Sequence, residues 1–196
     1  MKPYVITSNA TAAVVLGRML GPELEGRVEL IDGRGWVNAT SRARAIAYGG
    51  SCVALVLGPR RKRGPNAREW DKAYAYSRLN PNGERTGLPM RLILLKSAPE
   101  GLLFLEPAIL RQLSGREPTA EHLEWARTAP RRALSALLGV KPASLAMALR
   151  PRLEGVDLTQ LASLPAIRRL RKFIHAQIQW SERLETREAV STGEPG

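Results

Sequence analysis

Four short β-rich runs, each separated from the next by a segment with helical spacing of apolar residues, constrain the fold more than any other feature. The runs lie at residues 4–7, 27–32, 52–57 and 90–95. Connections long enough to hold a helix of about a dozen residues let consecutive strands run parallel through right-handed crossovers. We therefore predict an α/β fold with a small, doubly wound parallel sheet of about four strands.

The second half of the chain has a different pattern. From Gly101 onward the strand patterns end, and apolar residues recur at helical spacing as far as Leu184. The last residues are polar and finish in Gly-Glu-Pro-Gly. We predict an α/β core over residues 1–100, a helical C-terminal extension over 101–184 and a disordered tail over 185–196.

Charge indicates the chemistry of a partner. The chain has 30 Lys and Arg against 18 Asp and Glu, for a net charge of +12. Most of these cations are Arg, which makes bidentate contacts with phosphate or carboxylate. The balance favours nucleic acid, DNA or RNA, or an acidic protein as partner. The alternative is a basic surface with no ligand, which a coding bias toward Arg would produce.

Cysteine usage and apolar run length indicate the compartment. Cys52 is the only cysteine and opens an apolar strand, so an internal disulfide is impossible and the thiol should be buried. The longest apolar runs fall far short of the ~20 residues that span a bilayer. We predict a cytoplasmic protein with no membrane partner.

A basic loop follows the third predicted strand. It contains the consecutive cations Arg60, Arg61, Lys62 and Arg63. Arg34 and Lys96 follow two other predicted strands, and ligands of open parallel sheets bind at the carboxyl ends of the strands. These six cations are predicted phosphate contacts, although a solvated loop also explains four adjacent charges.

The last predicted helix is amphipathic. Apolar residues form one stripe from Ile167 to Ile178, and cations lie beside that stripe. Arg168, Arg171 and Lys172 are the candidate contacts for nucleic acid or an acidic partner on this helix. Ordinary solvent exposure explains the same pattern.

Residues 5–16, Val-Ile-Thr-Ser-Asn-Ala-Thr-Ala-Ala-Val-Val-Leu, resemble the opening of the Toprim domain of overcoming-lysogenization-defect (OLD) nucleases and related bacterial defence proteins. The family form is two hydrophobic residues, Glu-Gly-x-x-Asp-Ala-x-x-Leu. Residues 32–39 are similar to the family's glycine turn, and 53–57 to the strand that delivers an Asp-x-Asp pair. Pro99-Glu100 resembles a Pro-Glu of the family. The resemblance covers roughly residues 4–100.

Every metal-binding position of the resembled family is changed. The family's Glu, Gly and first Asp fall on Thr7, Ser8 and Thr11, and its Asp-x-Asp pair falls on Gly58 and Arg60. In the family these acids hold Mg²⁺ for phosphodiester chemistry, and Mg²⁺ requires oxygen ligands. The resemblance therefore implies a degenerate domain with no catalytic residue and no cofactor. It also implies a binding subunit of a nucleic-acid-handling or antiphage complex.

Two other functions remain open. A divergent Mg²⁺-dependent nuclease would use Asp32 and Glu100, with Glu69 or Asp71. A pure protein-interaction scaffold would need neither metal nor nucleic acid. The turn at residues 33–35 is either an anion-binding glycine turn before a helix or a simple tight turn.

Overall fold

The computed structural model describes residues 2–59, 67–79 and 90–191, and within these ranges the chain alternates strands and helices before becoming wholly helical. The strands are β1 (Tyr4–Thr7), β2 (Glu29–Asp32), β3 (Val53–Leu57) and β4 (Met90–Leu94). The helices are α1 (Ala10–Leu20), α2 (Trp36–Tyr48), α3 (Ala67–Leu79), α4 (Pro99–Leu102), α5 (Pro107–Ser114), α6 (Ala120–Thr128), α7 (Pro130–Leu138), α8 (Leu145–Leu153), α9 (Thr159–Ala162) and α10 (Pro165–Ser191).

The sheet has the order β2-β1-β3-β4, and all its strands are parallel. Tyr4 lies opposite Glu29 on one side and Val53 on the other. The connection after β1 leads to β2 at one edge of the sheet. The connection after β2 crosses over β1 to β3, and the next connection leads to β4 at the other edge. The predicted α/β class with a small doubly wound parallel sheet is confirmed.

Alternate residues of the strands enter two separate cores. Val5 packs on the face covered by α1 and α10, whereas Ile6 packs on the face covered by α2 and α3. Every residue of β3 is buried because this strand is central and covered on both faces. That burial explains its unbroken apolar run, which is typical of a parallel strand between two helical layers.

The helical half of the chain shares a core with the sheet. Val56 and Ile93 of the sheet belong to the same buried cluster as Leu134, Leu145 and Leu170. The thiol of Cys52, buried as predicted, donates a hydrogen bond to Gln177 Oε1 (2.8 Å) near the start of β3. The predicted boundary at residue 100 therefore does not separate two hydrophobic cores.

Residues 185–191, which belong to the predicted disordered tail, are helical in the structure. Helix α10 continues through these residues to Ser191 instead of ending near Leu184. Glu182 forms an ion pair with Arg27, and the hydroxyl of Thr186 donates to the Glu182 carbonyl (2.8 Å). Glu, Arg and Ala favour helix even without an apolar stripe, so a polar segment can continue a helix. Residues 192–196 lie outside the described ranges.

Candidate functional site

The strand order places a crevice between the carboxyl ends of β1 and β3. The chain leaves these two neighbouring strands in opposite directions, which separates the connections that follow them. Ligands of open α/β sheets bind at this switch point. The residues that the resemblance aligns with metal ligands, Thr7 and Gly58, lie at these two strand ends.

The end of β1 is held by internal hydrogen bonds. The Asn9 side chain caps α1 by accepting from the backbone N–H of Ala12 (2.9 Å). The N–H of Gly33 donates to the Thr7 carbonyl (2.8 Å), and the N–H of Gly35 donates to the Ser8 carbonyl (2.6 Å). These glycine N–H groups serve the fold, so the geometry favours the tight-turn interpretation over an anion site.

The end of β3 is closed by two other segments. Trp36 at the start of α2 donates from its indole N–H to the Gly58 carbonyl (3.0 Å). A Cβ atom on Gly58 would lie 2.6 Å from the Cα atom of Ala98 and 2.8 Å from its nitrogen. Backbone at that distance cannot yield without a shift of the β4–α4 connection. Gly58 is therefore required by close packing, and an Asp at this position would not fit.

Glu100 lies beside the β1 end in a nearly dry environment. Its residue is 2% exposed, and one carboxylate oxygen accepts from Asn9 Nδ2 (3.3 Å). The other oxygen, Oε2, has no hydrogen-bond partner among the residues the structure describes. Burial raises the pKa of Glu100 above that of a free glutamate. A carboxyl group in this state is a poor ligand for a divalent cation, because metal binding requires the ionised form.

The other carboxylates of the metal hypothesis serve local structure or lie elsewhere. Asp32 Oδ1 accepts from the backbone N–H of Arg34 (2.7 Å) and stabilises the turn after β2. Glu69 and Asp71 are on α3, which packs on the α2 face of the sheet. Within residues 2–59, 67–79 and 90–191, no group of three or more His, Cys, Asp or Glu could hold a metal ion.

Two of the predicted cations after the strands, Arg34 and Lys96, lie apart from each other. Arg34 and Lys96 are exposed at the ends of the two outer strands, β2 and β4. Three interstrand spacings of about 4.8 Å separate those strands by about 14 Å. Arg34 has a left-handed backbone with φ 53°, held by the Asp32 bond and by Asn38 Nδ2 donating to its carbonyl (3.2 Å). The predicted cations Arg60–Arg63 lie outside the described residues.

Helix α10 presents a basic surface that includes the three predicted contacts on this helix. Arg168 and Lys172 are exposed as expected. Arg171 is half-buried and pairs with Glu23 on the turn after α1. It lies only about 60° around the helix from the apolar stripe, because successive residues turn by about 100°. Arg171 therefore ties α10 to the turn after α1, and Glu23 partly neutralises its charge.

Arg169 also belongs to this surface. It is exposed beside Arg168, on the side of the helix away from the stripe that contains Leu170 and Ile174. The angle from the apolar stripe would have identified Arg169 from the sequence. We call Arg168, Arg169 and Lys172 the α10 basic face.

The α10 basic face lacks acidic partners. Elsewhere in the described part of the chain, ion pairs join Arg to Glu at four places. None of the three cations of the α10 basic face makes an ion pair with a described residue. Trp180 is 53% exposed on the same side of the helix, about 12 Å beyond Lys172. Unpaired cations next to an exposed aromatic ring form a surface suited to a polyanion with flat groups.

Comparison with protein-family models, curated proteins and solved structures finds no match. No single helix of the described residues is long and apolar enough to cross a membrane. One pair, Pro130–Leu138 with Pro142–Leu153, reaches the required length and composition together but is bent by 93°.

Proposed function

We propose that this chain binds the phosphate backbone of nucleic acid through the α10 basic face and does not cleave it. Under this proposal it is a degenerate Toprim-like binding subunit of a larger bacterial complex that handles nucleic acid or defends against phage. The complex and its defence role rest on the resemblance of residues 4–100 to the OLD-type family.

The observation that carries the proposal is the set of unpaired cations on one helix face. A protein as basic as this one, with a net charge of +12, attracts polyanions over long range. Specific contacts need cations that no internal carboxylate neutralises. Arg168, Arg169 and Lys172 meet that requirement with respect to the described residues. Guanidinium groups bind phosphate oxygens in a bidentate manner.

The closed end of β3 supports binding without turnover. A phosphodiester nuclease of the resembled kind needs an ionised carboxylate after β1 and a pair after β3. Thr7 is fully buried, and its hydroxyl donates to the Asn9 carbonyl (2.9 Å). Gly58 packs on Ala98. Neither position offers an oxygen ligand to an ion in the crevice.

The alternative nuclease with Asp32 and Glu100 has less support. Asp32 already holds the turn at Arg34, and Glu100 is buried with a raised pKa. The scaffold alternative predicts an acidic protein as the partner of the α10 basic face. One binding experiment, which compares nucleic acid with an acidic polypeptide as ligand, distinguishes the scaffold alternative from our proposal.

The test compares two doubly charge-reversed variants with the same net charge. Arg168→Glu/Lys172→Glu changes the α10 basic face, and Lys2→Glu/Lys141→Glu changes two exposed lysines off that helix. Binding of fluorescent 20-nucleotide DNA and RNA is measured by anisotropy from 50 to 300 mM salt. We expect the α10 variant to weaken binding at least tenfold at 100 mM salt and to reduce the slope of log K against log salt by about 2.

The control variant should keep both the affinity and the slope within about a factor of two of the native protein. Equal losses in both variants would show that net charge alone drives association, and the proposal would fail. No binding of either nucleic acid at 50 mM salt, together with tight binding of polyglutamate, would establish the scaffold alternative. Mg²⁺-dependent cleavage that Asp32→Ala abolishes would establish the nuclease.

A further inference from the structure

A groove runs along the free side of β4, between α3 on one face of the sheet and α10 on the other. Its volume is about 240 Å³. Typical sites for whole small-molecule ligands measure about 300–1,000 Å³. The groove therefore fits part of a longer molecule better than a complete cofactor.

Cations from three separate elements meet in this groove. Lys72 comes from α3, Arg91 from β4 and Arg169 from α10, while Glu69 is the only carboxylate among the lining residues. All three cations are exposed, and none makes an ion pair with a described residue. Among the described residues, three cations and one carboxylate therefore give the groove a net positive charge.

The groove also has backbone and aromatic components. Among the described residues β4 pairs only with β3, so its outer side presents main-chain N–H groups that can bind an anion. Tyr76 on α3 lines the groove and is 51% exposed. It lies one helical turn beyond Lys72, which places a flat ring beside a cation.

We infer that this groove binds one strand of unpaired nucleic acid, with a base stacked on Tyr76 and phosphates held by Lys72, Arg91 and Arg169. A duplex has its bases stacked inside and cannot offer a base to the tyrosine ring. Stacking on an aromatic side chain and a basic groove along the backbone are the two components of single-strand binding. Arg169 joins the groove to the α10 basic face, so one strand contacts both surfaces.

This inference rests on the proposed function and narrows its ligand from nucleic acid in general to single strands. An acidic polypeptide would form ion pairs with the cations, but it has no base that could stack on the ring of Tyr76. The contribution of the ring therefore separates the two ligand classes.

The experiment uses the full chain and a matched pair of tyrosines. Tyr76→Ala removes the ring in the groove, and Tyr48→Ala removes a ring of similar exposure, 53%, at the end of α2. The ligands are fluorescent 12-nucleotide oligothymidylate, a duplex of the same length and polyglutamate, at 50 mM salt. Circular dichroism and thermal unfolding confirm that both variants fold.

We expect the native chain to bind oligothymidylate at least fivefold more tightly than the duplex. Tyr76→Ala should weaken single-strand binding about 5- to 100-fold, since stacking contributes about 1–3 kcal/mol per base. It should leave duplex binding within twofold. Tyr76→Phe should retain binding, and Tyr48→Ala should have no effect. Arg91→Glu should weaken binding of the single strand and lower its salt slope by about 1.

Equal binding of strand and duplex, with no effect of Tyr76→Ala, would overturn the single-strand inference and leave the α10 proposal standing. Tighter binding of polyglutamate than of either nucleic acid would overturn both. Loss of single-strand binding in Tyr48→Ala to the same extent as in Tyr76→Ala would also reject the groove as the stacking site.

Discussion

The carboxyl edge of the sheet and the open side of β4 are two candidate binding regions with opposite properties. At the carboxyl edge, Gly58 packs against Ala98, Trp36 bonds to Gly58, and Glu100 is buried beside Asn9. Among the residues the structure describes, these contacts join the ends of β1 and β3 to the β4–α4 connection and to α2.

At the open side of β4, three exposed cations line the groove with Glu69, and none of these cations makes an ion pair with a described residue. The groove there is bounded by three elements but closed by none of the residues described. The comparison shows that, among the described residues, close packing is found at the strand ends, whereas exposed cations gather at the side of the sheet. Three changes at the carboxyl edge test whether it is as rigid as its contacts indicate.

The largest effect is expected for Gly58→Ala. The new Cβ would lie 2.6 Å from the Ala98 Cα atom, so the β4–α4 connection must shift. Overpacking of this kind costs about 3 kcal/mol in the free energy of unfolding, measured by urea denaturation. The control is Gly155→Ala, where a Cβ meets open space and the change should stay within about 1 kcal/mol. A Gly58→Ala protein with native stability would mean that the edge is loosely packed.

A smaller effect is expected for Trp36→Phe. Phenylalanine keeps the ring near Tyr74, 6.2 Å between centroids in the native chain, but cannot donate to the Gly58 carbonyl. Leaving a buried carbonyl without its donor costs about 2 kcal/mol. Trp180→Phe on exposed α10 should cost less than about 0.5 kcal/mol. Stability is measured by thermal or urea unfolding. An equal loss of stability in the two variants would show that the hydrogen bond from Trp36 does not stabilise the carboxyl edge.

The smallest effect, and one that depends on pH, is expected for Glu100→Gln. Burial raises the pKa of Glu100 in the folded state, so ionisation is disfavoured there relative to the unfolded chain. Below the pKa of a free glutamate, both states are protonated and the native chain suffers no penalty. As the pH rises past that value, the unfolded state loses its proton first and the native chain becomes less stable.

Glutamine is neutral at every pH and keeps an oxygen for Asn9. The variant should match the native chain near pH 4 and exceed its stability at pH 8 by about 1 kcal/mol. Glu25→Gln, the same substitution at an exposed position, is the matched control. Parallel pH profiles of the native chain and Glu100→Gln would show that the Glu100 carboxyl is better solvated than its 2% exposure indicates.

The sequence predicted the strands better than it predicted the site. The bounds of β1, Tyr4–Thr7, follow from a local run of β-branched and aromatic residues, and β3 follows from its apolar run. The close packing at Gly58 depends on Ala98, which lies 40 residues later in the sequence. No local pattern shows that a glycine at a strand end is needed for contact with a distant backbone.

The α10 residues also show that contacts between distant segments cannot be predicted from a local pattern. Helical spacing was enough to predict an amphipathic helix, but it did not indicate that Arg171 pairs with another segment. Its pairing with Glu23 depends on how α10 packs beside α1. The groove at β4 was not predicted, because Lys72, Arg91 and Arg169 belong to three elements that meet only in the folded chain.

The shared core of the sheet and the C-terminal helices has a consequence for how the chain folds during synthesis. Val5 and Ala54 lie on the sheet face that α1 covers together with the last helix, α10. Until α10 has been synthesised and has docked, part of this face lacks one of its covering helices. During this interval the uncovered apolar surface is available to chaperones or to aggregation. Docking of α10, the last long helix, ends this exposure.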